Sequence, residues 1–157
     1  MSADGFPTVA ELAAEEDELQ LPTFTNDDAW ELGSALVAAA RRADAPVAVE
    51  IARNGHRLFS AALTGATPDN ADWIERKCRV VHRFGHSSLY VRQTWVERGT
   101  TFEESSGLDP ARYAAHGGAV PLLVRGVGPV GVVAVSGLPQ LEDHRMVVAA
   151  LRAALGR

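Results

Sequence analysis

Three histidines of this sequence lie in short polar motifs where an imidazole could carry out chemistry. His86 lies within Gly85-His86-Ser87, His116 precedes Gly117-Gly118, and His144 ends the acidic triplet Glu142-Asp143-His144. Imidazole changes its charge near neutral pH and is a common metal ligand. The three side chains could therefore act as a general base, as ligands of haem iron, or as hydrogen-bonding groups that stabilise turns or a subunit interface.

An arginine accompanies the first of these motifs. Arg83 precedes His86 by three positions, and its guanidinium presents a fixed charge with bidentate geometry. It could bind the carboxylate of a ligand, including a haem propionate. It could equally form an ion pair with Glu97, Glu103 or Glu104, and the sequence leaves both interpretations open.

A second spacing concerns metal binding. Cys78, His82 and His86 are four residues apart, so on one uninterrupted helix they would share a face. The alternative is a buried cysteine with two histidines on the helix surface. Because Gly85 interrupts the helical pattern, we keep the three as weak metal-ligand candidates and assign no metal site.

Composition limits the classes of function. The chain has 157 residues, 46% of them hydrophobic, and a net charge of −5. This length favours one compact domain, and the negative charge argues against nucleic-acid binding and against docking on anionic membranes. A single cysteine and the absence of a secretion signal are typical of a cytoplasmic protein.

The hydrophobic pattern predicts helices and hairpins in the order α, β-hairpin, α-α, β-hairpin, α. Asn54-Gly55 is a strong signal for a tight hairpin turn, and it pairs Arg53 with His56 and thus Ile51 with Leu58. The valine run ending at Ser136 is typical of a strand buried on both faces. We predict an α/β (α+β) fold, a profilin-like or PAS-like α-β-α sandwich with a central antiparallel sheet. Helices are predicted over 26–43, 71–84 (capped by Asp69 or Asn70), 87–97 and 140–155, and strands over 47–52, 56–63, 120–125 and 130–136.

The first 24 residues differ from the rest. Their helical stretch, about 7–19, carries many acidic side chains. Such a segment is predicted to be a solvated acidic tail, with docking on a neighbouring subunit as the alternative. We therefore expect an N-terminal acidic extension over residues 1–24 and a single domain over residues 25–157.

Three ordered motifs resemble a known family. They are Arg83-Phe84-Gly85-His86-Ser87-Ser88, Tyr113-Ala114-Ala115-His116-Gly117-Gly118, and the segment from Val135 to His144. Together they are similar to the haem-degrading domain branch of the GlcG/HbpS-like superfamily, an uncharacterised branch, over about residues 22–155. The resemblance implies the same α-β-α sandwich and a homo-oligomer. By motif match, it also implies a ligand-binding role for Arg83, His86, Ser87, His116, Gly117, Gly118 and His144.

These observations support three functional hypotheses. The first is a cytosolic, homo-oligomeric small-molecule-binding protein, with haem or a related molecule as the ligand, which it could bind or degrade. The second is a structural or adaptor oligomer without catalytic activity. The third is an enzyme acting on a small carboxylate, with a histidine as general base and Arg83 as the anion anchor. No catalytic residue is assigned.

Overall fold

A computed structural model describes residues 1–157 as six helices and one four-stranded antiparallel sheet in the order β2-β1-β4-β3. None of the helices is long and apolar enough to cross a lipid bilayer. The elements are α1 Val9–Glu18, α2 Asn26–Arg42, β1 Ala48–Arg53, β2 His56–Ala62, α3 Pro68–Phe84, α4 Ser88–Glu97, α5 Phe102–Ser105, β3 Ala119–Val124, β4 Gly128–Ser136 and α6 Gln140–Ala154.

Capping residues set the helix starts. Thr25 and Asp28 form a reciprocal capping box that begins α2. The predicted caps of α3, Asp69 and Asn70, are wrong. The N-cap is Thr67, whose N–H donates to the side chain of Asn70 at 2.8 Å. Pro at the first helical position suits an N-terminus, because its missing N–H would have no partner there, and α3 therefore begins earlier than predicted.

The predicted first hairpin forms, with one change of register. Asn54 and Gly55 both have positive φ (51° and 79°), and Arg53 pairs with His56. A bulge follows between Ile51 and Ala52, so Ile51 pairs with Phe59 and not with Leu58. The predicted Ile51–Leu58 pair is wrong because the bulge adds a residue to β2 that faces no partner.

The sheet lies between two helical layers. Val133 and Val135 of β4 face the larger core cluster, which includes apolar residues of α2 and α6. Val132 and Ala134 face the smaller cluster, formed with α3. The valine strand is thus buried on both faces, and the predicted α-β-α sandwich is confirmed. Pro121 lies in β3 at one edge of the sheet, where its missing N–H is tolerated.

The N-terminal acidic helix is not a solvated tail. Helix α1 packs against α4 of the same chain, with Leu12 only 1% exposed. Even Glu16 is buried, because its carboxylate accepts hydrogen bonds from the segment that precedes α4. The division of the chain into residues 1–24 and 25–157 stays a prediction.

Candidate functional site

A polar pocket of about 230 Å³ lies between α3, the segment leading into β3 and the start of α6. We call it the Lys77 pocket. Its lining is mostly polar and comes from three parts of the chain distant in sequence. The lining residues are Asp69, Asn70, Trp73, Lys77, His116, Ser136, Gly137, Leu138, Gln140 and Asp143.

A buried ion pair forms one wall of this pocket. Nζ of Lys77 lies 3.2 Å from Oδ2 of Asp143, and the two side chains are only 3% and 2% exposed. The ammonium also donates to the carbonyl oxygen of Val135 at 3.2 Å. The carboxylate accepts from the backbone N–H groups of Gly137 and Leu138, at 3.4 and 3.0 Å. Both charges therefore have partners, as buried charges require.

Burial brings the two groups of this pair closer to their neutral forms. Loss of hydration lowers the pKa of Lys77 from its ordinary 10.5, and the attraction of Asp143 offsets this only in part. The same loss of hydration raises the pKa of Asp143 from 3.8, against the opposing effect of Lys77. A proton can therefore move between the two at a lower cost than between exposed side chains. The lowered pKa makes the neutral amine, which is the nucleophilic form, easier to reach than at a surface lysine.

The glycine pair after His116 provides the space for this arrangement. A Cβ atom at Gly118, whose φ is +134°, would lie 2.6 Å from Nζ of Lys77 and 2.5 Å from the carbonyl oxygen of Val135. A Cβ atom at Gly117 would lie 2.5 Å from the carbonyl oxygen of Gln140. The backbone at these two glycines therefore approaches Lys77 and the start of α6 closely.

The imidazole of His116 lies at the rim of the Lys77 pocket. It packs edge-on against Trp73, with ring centroids 5.0 Å apart, and Nε2 lies 3.8 Å from Oε1 of Glu103. Partial burial lowers the pKa of His116, which Glu103 only partly counteracts. At neutral pH the ring is thus mainly uncharged and can accept a proton or ligate a metal.

The other two histidines contact α1 and do not line the pocket. Nε2 of His144 lies 2.6 Å from Oε1 of Glu15, and its Nδ1 is buried without a hydrogen-bond partner. Nδ1 of His86 lies 2.7 Å from Oε2 of Glu16, and its ring stacks on Tyr90. The three histidines therefore do not surround one cavity. A ligand-binding role for His86 and His144 stays a prediction.

The remaining candidates have local partners. Ser87 caps α4 by accepting from the N–H of Tyr90 at 3.1 Å, and its own N–H donates to Glu16 at 2.8 Å. Arg83 is exposed, with its guanidinium 5.8 Å from the ring centre of Tyr113. It forms no ion pair with Glu97, Glu103 or Glu104, the partners considered from the sequence. It also does not line the Lys77 pocket.

The weak metal-ligand candidates are not brought together. Cys78 packs in the core beneath the sheet, whereas His82 is exposed. Gly85 adopts a left-handed conformation (φ 73°) and ends α3, so His86 does not continue the helical face. No group of three or more His, Cys, Asp or Glu side chains in the structure is arranged to hold a metal ion.

One feature of the sequence indicates this site. Lys77 is the only lysine, and every other of the 15 basic residues is an arginine. It lies three positions after Ile74 and four before Val81, on the apolar stripe of α3. A lone lysine on a buried face is unusual, because a buried charge needs a specific partner. That partner, Asp143, lies in a motif already singled out, next to His144.

An antiparallel sheet covered by helices on both faces places the chain in the class of small α-β-α sandwich proteins. The chain belongs to the HbpS-like family. The match, described as "Haem degrading protein HbpS-like", covers residues 24–152. The resemblance expected from the three motifs is therefore confirmed.

Relatives cover nearly the whole chain. A UPF0303 protein of Streptomyces avermitilis is 61% identical over 145 residues, which are 92% of this chain and 89% of the relative. A UPF0303 protein of Edwardsiella ictaluri is 46% identical and covers 94% of both chains. These matches include most of the N-terminal segment that contains α1.

Solved structures share the fold. The crystal structure of the Ybr137w protein aligns with a TM-score of 0.84 at 39% identity, covering 95% of this chain and 87% of that chain. The crystal structure of a PduOC–haem complex aligns with a TM-score of 0.70 at 20% identity, covering 83% and 94% of the two chains. At that identity the second similarity shows the fold alone.

Proposed function

We propose that this protein binds a small organic anion in the Lys77 pocket. The observation that carries the proposal is a buried ammonium in the wall of a polar pocket. A buried charge with a perturbed pKa and a specific charge partner, located in a cleft, is a candidate for a ligand site. The proposed site is therefore the Lys77 pocket, and not a cavity shared by His86, His116 and His144.

The lining holds the ammonium of Lys77 and the carboxylates of Asp69 and Asp143, and it is the end of the pocket at α6 that favours a negatively charged ligand. The pocket lies at the start of α6, where Pro139 provides no side-chain cap for the first N–H groups. The positive end of the helix dipole therefore adds to the charge of Lys77. Arg83, the anion anchor expected from the sequence, lies outside the pocket, so Lys77 takes that role in the proposal.

The size of the pocket suits a small ligand. Its volume of about 230 Å³ is below the roughly 300–1,000 Å³ of pockets that enclose drug-sized molecules. Small carboxylic acids fit both this volume and the local charge. The neutral imidazole of His116 could accept a proton from such a ligand, which keeps the hypothesis of an enzyme acting on a small carboxylate open.

Ligand binding can be tested with a panel of acetate, lactate, pyruvate and malonate. We expect at least one acid to raise the melting temperature saturably, because a ligand that binds only the folded state stabilises it. The shift should be lost in Lys77→Met and reduced in His116→Ala. It should persist in His82→Ala, a matched control on the exposed face of α3. No saturable shift with any acid, or a shift that both pocket variants retain, would reject the proposal.

Haem is the second candidate ligand. It is favoured by the description of the family and by the neutral, partly exposed imidazole of His116. Haem is too large for the pocket itself, so His116 at the rim would be the residue that holds it through the iron. In such a complex the iron would supply the redox chemistry, while the protein would orient the ring.

A haemin titration distinguishes this candidate. We expect a saturable Soret shift that His116→Ala abolishes and that His56→Ala, an exposed control on β2, leaves unchanged. The same titration with His86→Ala and His144→Ala tests the ligand set expected from the sequence. A shift that is insensitive to His116→Ala would exclude binding at this rim.

We also propose that the protein forms a homo-oligomer. Membership of the HbpS-like family supports this proposal, and Trp30 and Val127, which are 65% and 70% exposed in the single chain, are candidates for the contact surface. Light scattering at several concentrations tests this, and a monomer throughout would contradict it. A change in oligomer size in Arg83→Ala or His116→Ala without loss of ligand binding would instead favour the structural or adaptor hypothesis.

A further inference from the structure

We propose that Lys77 captures carbonyl compounds covalently: its amine forms an imine with a small 2-oxo acid bound in the Lys77 pocket. This inference rests on the proposed function, because it names the substrate class of the same pocket. It adds a chemical step that simple anion binding does not require.

The first argument is the choice of side chain. A buried ion pair between α3 and α6 could be formed by arginine, whose planar fork suits a carboxylate better and resists deprotonation. The chain uses arginine at every other basic position and places its only lysine here. Unlike a guanidinium, a primary amine can lose its charge and attack a carbonyl carbon.

The second argument is the placement of groups that can move protons. Oδ2 of Asp143 lies 3.2 Å from Nζ of Lys77, within reach to take the ammonium proton. The carboxyl of Asp143 stays fixed meanwhile by the N–H groups of Gly137 and Leu138. His116 lines the same pocket and provides a second proton acceptor near its opening.

The third argument is the position of the amine in the wall of the pocket. Lys77 lines the pocket together with His116 and Asp143, so a bound ligand would approach the amine from the pocket side. Gly118 closes another side of the amine, where a Cβ atom would lie only 2.6 Å from Nζ. The carboxylate of a 2-oxo acid would face the uncapped N-terminus of α6, which places its carbonyl group towards Lys77.

The chemical step balances without any added oxidant or reductant. Asp143 takes a proton from the ammonium, and the neutral amine attacks the carbonyl carbon to form a C–N bond. After the attack nitrogen carries two protons, and one of them moves to the carbonyl oxygen, which becomes the hydroxyl of a neutral carbinolamine. The proton held by Asp143 then allows this hydroxyl to leave as water, and nitrogen gives its last proton back to Asp143, which leaves the imine. The net reaction joins one amine and one carbonyl and releases one water.

Borohydride trapping tests the inference directly. The protein is incubated with pyruvate or 2-oxobutyrate, reduced with sodium borohydride, and analysed by intact mass and peptide mapping. Lactate and 2-hydroxybutyrate serve as matched acids without a carbonyl, and propanal as a carbonyl compound without a carboxylate. The modified amine can be assigned unambiguously because Lys77 is the only lysine, and the only competing amine is the α-amino group of Met1.

We expect one adduct per chain on the Lys77 peptide with each 2-oxo acid, at least tenfold more than with propanal, and none with the hydroxy acids. Lys77→Arg should show no adduct apart from Met1, and His116→Ala should form the adduct more slowly. If Lys77→Arg does not fold, peptide mapping of the natural chain decides alone. An adduct confined to Met1 would overturn the inference.

The test of imine formation can fail without the test of anion binding failing. If lactate and pyruvate both stabilise the protein but neither 2-oxo acid is trapped at Lys77, anion binding stands and imine formation is rejected. If no acid stabilises the protein and only Met1 is modified, both are rejected.

Discussion

Nζ of Lys77 and Oδ2 of Asp143 lie 3.2 Å apart, although the two residues are separated by 66 positions in the sequence. The contact joins the middle of α3 to the first turns of α6, across one end of the sheet. Because both side chains are almost completely buried, removal of one would leave the other as an uncompensated charge. The pair is therefore both a link between two elements and the chemical centre of the pocket.

Removal of the carboxylate should destabilise the protein strongly. We expect Asp143→Ala to lower the free energy of unfolding by about 3–5 kcal/mol, since it leaves a buried ammonium without a partner. The matched control is Asp72→Ala, which removes the exposed partner of Arg76 in an i,i+4 pair and should cost only about 0.3–0.5 kcal/mol. Urea denaturation of both variants provides the comparison, and equal losses would contradict the importance assigned to the buried pair.

The architecture was largely predictable because it depends on local signals. The alternating apolar residues of β1 predict a strand of a hairpin. The continuous valine run of β4 predicts a strand that is buried on both faces, as it is in the structure. The Asn54-Gly55 turn fixed the pairing of Arg53 with His56. The bulge that shifts Ile51 to Phe59 was not predictable, because no residue type in that stretch requires it.

The site was less predictable, because it depends on contacts between distant residues. His116 was identified from its motif, but Lys77 and Trp73 were not assigned a role, since each fits an ordinary helix surface or core position when considered alone. The acidic residues of α1 predict a solvated segment, but in the structure Glu15 contacts His144 and Glu16 contacts His86. A run of charged residues predicts a solvated segment only when no oppositely charged or hydrogen-bonding group packs against it.

The contact between α1 and the rest of the chain depends on Glu16. Its carboxylate accepts from the buried N–H of Ser87 at 2.8 Å and lies 2.7 Å from Nδ1 of His86. We expect Glu16→Ala to reduce the free energy of unfolding by about 1–3 kcal/mol, because a buried N–H group loses its acceptor. Asp17→Ala, on the exposed side of the same helix, should have little effect.

Limited proteolysis offers a second measurement on the same variants. Cleavage within the first 20 residues should become faster in Glu16→Ala than in the natural chain or in Asp17→Ala, because α1 would detach more often. Identical cleavage rates in all three proteins would show that α1 is held by its apolar contacts alone.

Substitution of Gly118 should disturb the pocket and the fold together. An alanine there would place Cβ 2.6 Å from Nζ of Lys77 and 2.5 Å from the carbonyl oxygen of Val135. Gly126 is the matched control, because it also has positive φ (+78°) but its Cβ would meet no atom within 4 Å. Gly126→Ala should cost about 1–2 kcal/mol from backbone strain. Gly118→Ala should cost about 1–3 kcal/mol more because of the clash.

Thermal unfolding monitored by circular dichroism gives the comparison between the two glycine variants. Ligand binding provides a second readout, since only Gly118→Ala should weaken the stabilisation by small acids. Equal melting temperatures for the two variants would mean that the segment leading into β3 can move away from Lys77.

The buried thiol of Cys78 should make stability fall at alkaline pH. Burial raises the pKa of Cys78 from 9.0 to about 12 in the folded chain. Above pH 9 the unfolded chain loses this proton while the folded chain keeps it, so the folded state binds more protons and its stability decreases as pH rises. One pKa unit corresponds to about 1.4 kcal/mol.

The measurement compares urea denaturation of the natural chain and Cys78→Ala at about pH 8 and about pH 10. The substitution removes apolar contacts and lowers stability at both values. Between them, however, the natural chain should lose about 1.4 kcal/mol relative to the variant, because all other titrating groups are common to the two proteins. A difference between the two proteins that does not change with pH would show that the thiol is ionised as easily in the folded chain as in the unfolded one.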